Sequence, residues 1–159
     1  MPWVLLGAFA PLWGCGHIGT GSSSSEAENL RSRADASLPL LQVRELLEPG
    51  AELRPTAKAT ALAGRRVRLV GFIADMELAP EGALYLVPQP VRCDEAGGGT
   101  ADLPPETVLV TLSFLARQKL PHAPGLVEVI GTFEVGNRPG PQGHASNFRL
   151  LMEPPTTGG

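Results

Sequence analysis

Val67-Arg68-Leu69-Val70-Gly71-Phe72-Ile73 is the stretch that decides the fold. Val67, Leu69, Gly71 and Ile73 alternate with Arg68, Val70 and Phe72, and a period of two places the two sets on opposite faces of a strand. Arg66 and Arg68 charge the start of the outer face; Val70 and Phe72 make its later part apolar, so that face is predicted to become covered partway along. A glycine in mid-strand predicts a bulge or a sharp coil. Sixty residues on, Val127-Glu128-Val129-Ile130-Gly131-Thr132-Phe133 repeats the pattern. Nothing around the echo repeats, so the two segments read as equivalent, glycine-kinked strands that close one barrel.

Outward from this pair the chain offers short strands between turn signals. Gly64 opens the first strand, and Glu81-Gly82 turns into Ala83–Val87, which Pro88 and Pro90 end. Thr107–Leu112 is a third strand, Leu126–Val135 the fourth and Ser146–Met152 the fifth. Ser113 to Lys119 is predicted as a helical turn, and residues 92–105 and 136–143 as loops rich in glycine and proline or polar residues. Five strands with a helical insert after the third predict a mostly β protein, an OB-like five-stranded barrel, with a five-stranded β-sandwich as the alternative. Before the barrel, Leu40, Val43, Leu46 and Leu47 recur at helical spacing after Ser37 and Pro39, which predicts a short N-capped helix packed on the sheet. A second helical turn is predicted near Thr56–Leu62.

Composition agrees with this class. The chain of 159 residues is 43% hydrophobic but only 5% aromatic, so its core must be mainly aliphatic. Glycine and proline together exceed a fifth of the residues, which favours short strands and loops over a helical bundle. A formal charge of −3 supplies no general attraction to nucleic acid or anionic lipid.

Residues 1–14 carry no charge and are too few for a spanning helix, which needs about 20. They end in Leu12-Trp13-Gly14-Cys15, followed by Gly16. This resembles a bacterial lipoprotein signal, with an apolar run and then a lipobox with leucine at −3 and glycine at −1. The resemblance implies cleavage before Cys15, lipidation of its thiol and acylation of the new amine, and two acyl signals give stable anchoring. The Gly/Ser-rich stretch Gly19–Ser25, turning acidic at Glu26 and Glu28, suits a flexible tether. The expected organisation is a signal peptide (1–14), a lipid-anchored flexible linker (15–36), a helical extension (37–63), the barrel (64–153) and a disordered tail (154–159).

A further resemblance rests on an ordered set of segments: Leu62–Phe72 with Glu77, Leu86-Val87-Pro88 with Cys93, Pro104-Pro105 before Val108–Val110, Gly125–Phe133 and Phe148-Arg149-Leu150. Over about residues 60–153 the chain resembles an exported bacterial family catalogued as a domain of unknown function, which implies no established reaction. In those relatives a histidine follows the cysteine by two residues. Here Asp94-Glu95 follow Cys93.

Few residues point to chemistry. With Cys15 lipidated, Cys93 is the one remaining cysteine, a candidate ligand or reactive thiol set against an inert, partly buried one. Asp94, Glu95 and His144 are its candidate metal partners, but paired ligands at short spacing are missing and no metal or other cofactor is expected. His17, His122 and His144 fall in linker or loop positions, no serine sits in a nucleophile elbow, and no catalytic residue is assigned. Arg65, Arg66 and Arg68 are expected to pair with Glu128 or Glu134 on the neighbouring strand rather than to bind nucleic acid, which would want stacking aromatics. Asp75, Glu77 and Glu81 read as charges at a strand end, lacking the ligand alternation of a calcium loop. The expectation is a non-enzymatic envelope lipoprotein, anchored to the inner or outer membrane and facing the periplasm, that binds another envelope protein or a small ligand. The alternative is a metal- or thiol-dependent periplasmic factor centred on Cys93.

Overall fold

The computed structural model describes residues 32–50, 52–93, 103–112, 122–140 and 145–152. Eight strands run in chain order: β1 Leu40–Gln42, β2 Arg66–Ile73, β3 Asp75–Met76, β4 Ala83–Val87, β5 Arg92–Cys93, β6 Val108–Thr111, β7 Leu126–Pro139 and β8 Ala145–Met152. One helical turn, α1, covers residues 32–36, and α2 covers Ala57–Ala61. Strands β2, β4, β6, β8 and β7 pair in that order, and β7 pairs back onto β2, which closes a ring. All neighbours in the ring are antiparallel except β6 and β8. This is a five-stranded OB-like barrel, as the sequence predicts. The long strands β2 and β7 close it, in unbroken register from Arg66 opposite Thr132 to Phe72 opposite Leu126.

The alternation in β2 is as expected. Val67, Leu69 and Gly71 are buried, while Arg66 is exposed and Arg68, Val70 and Phe72 are partly covered. The barrel interior is filled by Val67, Leu69, Leu86, Val108, Val110, Phe133, Phe148 and Leu150, with Leu41, Val43 and Leu46 packed at one end. A second apolar cluster lies on the outside, where Ala83, Tyr85 and Val87 of β4 and Leu109 of β6 meet Ala74, Cys93 and Leu103. Strand β4 is thus buried on both faces, and its unbroken apolar run, Ala-Leu-Tyr-Leu-Val, is what such a strand requires. The small parallel pair β3–β5 helps cover this face, with Asp75 N–H donating to Val91 O at 3.0 Å and Glu77 N–H to Cys93 O at 3.2 Å.

The glycines serve the barrel differently from the expectation. Neither Gly71 nor Gly131 has a positive φ, and the β2–β7 register carries no bulge at either. Both are needed for close approach. A Cβ on Gly71 would lie 2.7 Å from Cγ2 of Val43 and 3.2 Å from the Val87 carbonyl oxygen. The register irregularity falls instead between Val135 and Arg138, where Gly136 has φ 137°. Replacing Gly71 by Val is expected to cost about 1–3 kcal/mol by overpacking. Val43→Ala in the same chain should recover part of that loss, because the nearest obstacle is a side chain. Additive losses in urea unfolding of the two single variants and the double would show that Val43 is not the obstacle.

The segment before the barrel departs from the predicted helix. Leu40–Gln42 forms a parallel strand on β2, with Leu41 opposite Leu69, and Val43–Glu45 forms one 3-10 turn. Leu41, Val43, Leu46 and Leu47 are buried, but Leu40 is 42% exposed, so the face is that of a strand followed by a tight turn. The open edge of β2 beyond the reach of β4 decides this, because a paired backbone outweighs a weak local helical preference. Ser37 lies at the C-terminal end of α1, donating its hydroxyl to Ala34 O at 2.7 Å, and is no N-cap. Helical residues 32–36 also shorten the expected linker at its C-terminal end. The turn expected near Thr56–Leu62 is present as α2, with Thr56 as N-cap accepting from Ala59 N at 3.2 Å. The helical turn expected at 113–119 and the tail at 154–159 lie outside the described residues.

Candidate functional site

A shallow concavity follows from how β2 shares one edge between two partners. Strand β1 pairs with it through Val70, and β4 takes over from Phe72. At the junction β1 turns away into the 3-10 turn and β4 has just ended before Pro88, so a groove opens on the outer face of about 190 Å³. It is lined by Val70, Gly71 and Phe72 of β2, by Gln42, Arg44 and Pro88 on the edge that β1 and β4 share, and by Leu126 on the β7 edge. Leu126 stands opposite Phe72 at the start of β7 and is 64% exposed.

The backbone that carries Arg44 is held on both sides. Val43 is 1% exposed. The Glu45 carbonyl accepts from Thr56 Oγ1 at 2.8 Å, and Thr56 N–H donates to Leu46 O at 2.9 Å. Lys58 Nζ donates to Glu45 Oε2 at 2.8 Å, and this bond holds the Glu45 carboxyl below its ordinary range.

Two members of the arginine cluster, Arg66 and Arg68, are engaged within the chain. Arg68 grips Glu128 with two bonds, Nε to Oε1 at 2.9 Å and an Nη to Oε2 at 2.8 Å. The pairing is the expected one across the β2–β7 ladder. The Arg68 bond lowers the Glu128 pKa, and reciprocally Glu128 raises that of Arg68. Arg66 lies 3.4 Å from Asp35. Glu134 pairs with Arg149 at 3.2 Å and with Arg138 at 3.9 Å instead of with an arginine of β2. Arg149 is 7% exposed and belongs to a row across the outer face, Tyr85–Leu109–Arg149–Glu134, in direct register. Burial raises the pKa of the Tyr85 phenol. Because folding lowers the Glu128 pKa, its pairing stabilises the fold above the ordinary glutamate pKa and is lost as pH falls through the lowered one. Below the ordinary glutamate range, wild type should therefore lose stability more steeply than Glu128→Gln, as followed by thermal melting across acidic pH. Parallel curves would show that the pair adds nothing to the fold.

Cys93 is 3% exposed in the outer apolar cluster, and Asp75 lies 3.7 Å from Arg92. Among the described residues no three His, Cys, Asp or Glu side chains stand close enough to hold a metal. Cys15, and the candidate partners Asp94, Glu95 and His144, lie outside the described residues. His122 is exposed and borders a small cavity of about 40 Å³ beside Tyr85, large enough for little beyond water. Cys93→Ser should destabilise by about 1–2 kcal/mol, from a hydroxyl placed among apolar neighbours, and Cys93→Ala by less. Loss of bound metal in Cys93→Ser with stability unchanged would instead assign the thiol a ligand role.

The sequence does not mark Gln42, Arg44, Pro88 or Leu126 as site residues. The groove exists only where β1, β4 and β7 meet β2, and these segments are far apart in the chain. Arg44 in particular lies in a stretch whose spacing reads as helical.

Fold and site together define a small closed OB-like β-barrel with a covered outer face on β4 and β6 and a shallow groove on β2. No family model matches the chain, and no curated protein matches it in sequence. Among solved structures it is similar to a DUF3299 family protein from Pseudomonas aeruginosa PAO1, at 18% identity and a TM-score of 0.45, covering 74% of this chain and 94% of that one.

Proposed function

We propose that the protein is an envelope lipoprotein whose barrel is a non-enzymatic binding module for another envelope protein. The groove beside Gly71 carries this reading. Its lining is mainly apolar and has one cation, Arg44, on a turn that the fold holds in place. A shallow pocket that accepts an anchor side chain is a common centre of a protein interface. The Leu12-Trp13-Gly14-Cys15 segment supports attachment to a membrane through lipid on Cys15. Such an anchor confines the barrel to one surface, where even weak affinity for a co-anchored partner is raised by effective concentration.

Two measurements test the reading. Palmitate should label the wild-type chain in cells and not Cys15→Ala, and absence of label from wild type removes the lipoprotein assignment. A photo-crosslinker placed at Leu126 should capture one dominant envelope protein, and capture should fall when Phe72 is replaced by Asp in a chain that still melts cooperatively. Equal capture by both chains removes the groove from the interface.

A further inference from the structure

The groove also indicates what kind of surface it receives. Its volume of about 190 Å³ is below the roughly 300–1,000 Å³ of sites that enclose a whole small molecule, and it suits one aliphatic side chain. Its one lining cation is Arg44, whose charge also helps to lower the pKa of the adjacent Glu45. Glu128, on the register row beside Val70, is taken up by Arg68, and Glu45, next to Arg44, is taken up by Lys58. Among the described residues neither of these carboxylates forms an ion pair with Arg44. A guanidinium offers a planar fork that matches a carboxylate with two bonds. The 3-10 turn that carries Arg44 is pinned by Val43 and Thr56, so little backbone order has to be gained on binding.

From this we propose that the groove docks an acidic segment of a partner protein, which seats an aliphatic anchor over Val70–Phe72 and presents an adjacent carboxylate to Arg44. The proposal rests on the binding-module reading and names the chemistry of the partner. Leu126 and Pro88, on opposite edges of β2, would then flank the aliphatic anchor, and Gln42 would hydrogen-bond the backbone of the segment.

The test uses the full chain, labelled with ¹⁵N, and two N-acetylated, C-amidated tetrapeptides. They differ only in carrying glutamate or glutamine after a central leucine. The glutamate peptide should shift the amides of Gly71, Phe72 and Leu126, with the glutamine peptide binding about tenfold more weakly, the size of a lost charge-assisted pair. Arg44→Gln should remove the difference between the peptides while leaving the rest of the spectrum in place. Equal binding of the two peptides by wild type overturns the acidic recognition. Binding of 4-methylpentanoate as tight as that of the glutamate peptide overturns the protein partner in favour of a small carboxylate. An envelope protein crosslinked through another face, with no peptide-induced shift at these amides, overturns the docking site and leaves the binding-module reading standing.

Discussion

Gly131→Ala is expected to destabilise the barrel by about 3 kcal/mol or more, enough to leave a small domain of ordinary stability largely unfolded on warming. Gly131 is paired on both edges, with Val67 of β2 and with Met152 of β8. A Cβ at this position would meet the Leu151 carbonyl oxygen, would lie 2.9 Å from the Leu151 carbonyl carbon, and would lie 3.1 Å from Cγ of Leu150. The first two obstacles are backbone. Moving them means moving β8, which is itself tied to β6 from Phe148 to Leu151. Gly71 differs here, because its nearest obstacle is the Val43 side chain. The echoed glycines therefore predict unequal costs, with Gly131→Ala worse than Gly71→Ala. The check is a urea midpoint for each variant at unchanged m-value. If Gly131→Ala unfolds at the wild-type midpoint, β8 is free to slide and the barrel is not closed as described.

Phe133→Ala should cost about 3–5 kcal/mol. Phe133 is fully buried and stacks on Phe148, with ring centroids 6.1 Å apart and planes 10° apart. The pair adds roughly 0.5–1.5 kcal/mol to the transfer and cavity terms. Aromatic residues make up only 5% of the chain, and the other large side chains of the interior are aliphatic. Among the described residues of the interior cluster, Phe148 is the only other ring. Phe133→Leu keeps most of the volume and should cost well under half as much, which separates a cavity effect from a loss of strand pairing. A Phe133→Ala loss no greater than that of Phe133→Leu would mean that the interior collapses around the site.

The binding reading and these stability predictions meet at β2. One face of that strand builds the interior with Val67, Leu69 and Gly71, and the other supplies the groove floor with Val70 and Phe72. A variant that fails in binding must therefore be shown to melt as a folded domain before the groove is held responsible. Arg44 is the most informative position because it is exposed and lies outside the apolar core.

The sequence by itself determined the barrel. Alternation at Val67–Ile73 and Val127–Phe133 assigned each side chain to a face, because strand geometry leaves only two faces to choose from. The proline and glycine punctuation around Ala83–Val87 and Thr107–Leu112 located the middle strands to within a residue of β4 and β6. Cross-strand charge even anticipated Arg68 on Glu128. Only the tertiary structure decided the rest. Leu40–Gln42 is a strand because β2 offers it an open edge, and that edge belongs to residues almost thirty positions away. The pairs Asp75–Met76 and Arg92–Cys93 are two residues long, too short for any periodicity, and exist because they cover the outer face of β4. The role of Gly71 changed most. Its presence in mid-strand reads as a kink, yet what requires it is room for the Val43 side chain. Whether a glycine serves conformation or close packing depends on what approaches it through space, and that information lies in another part of the chain.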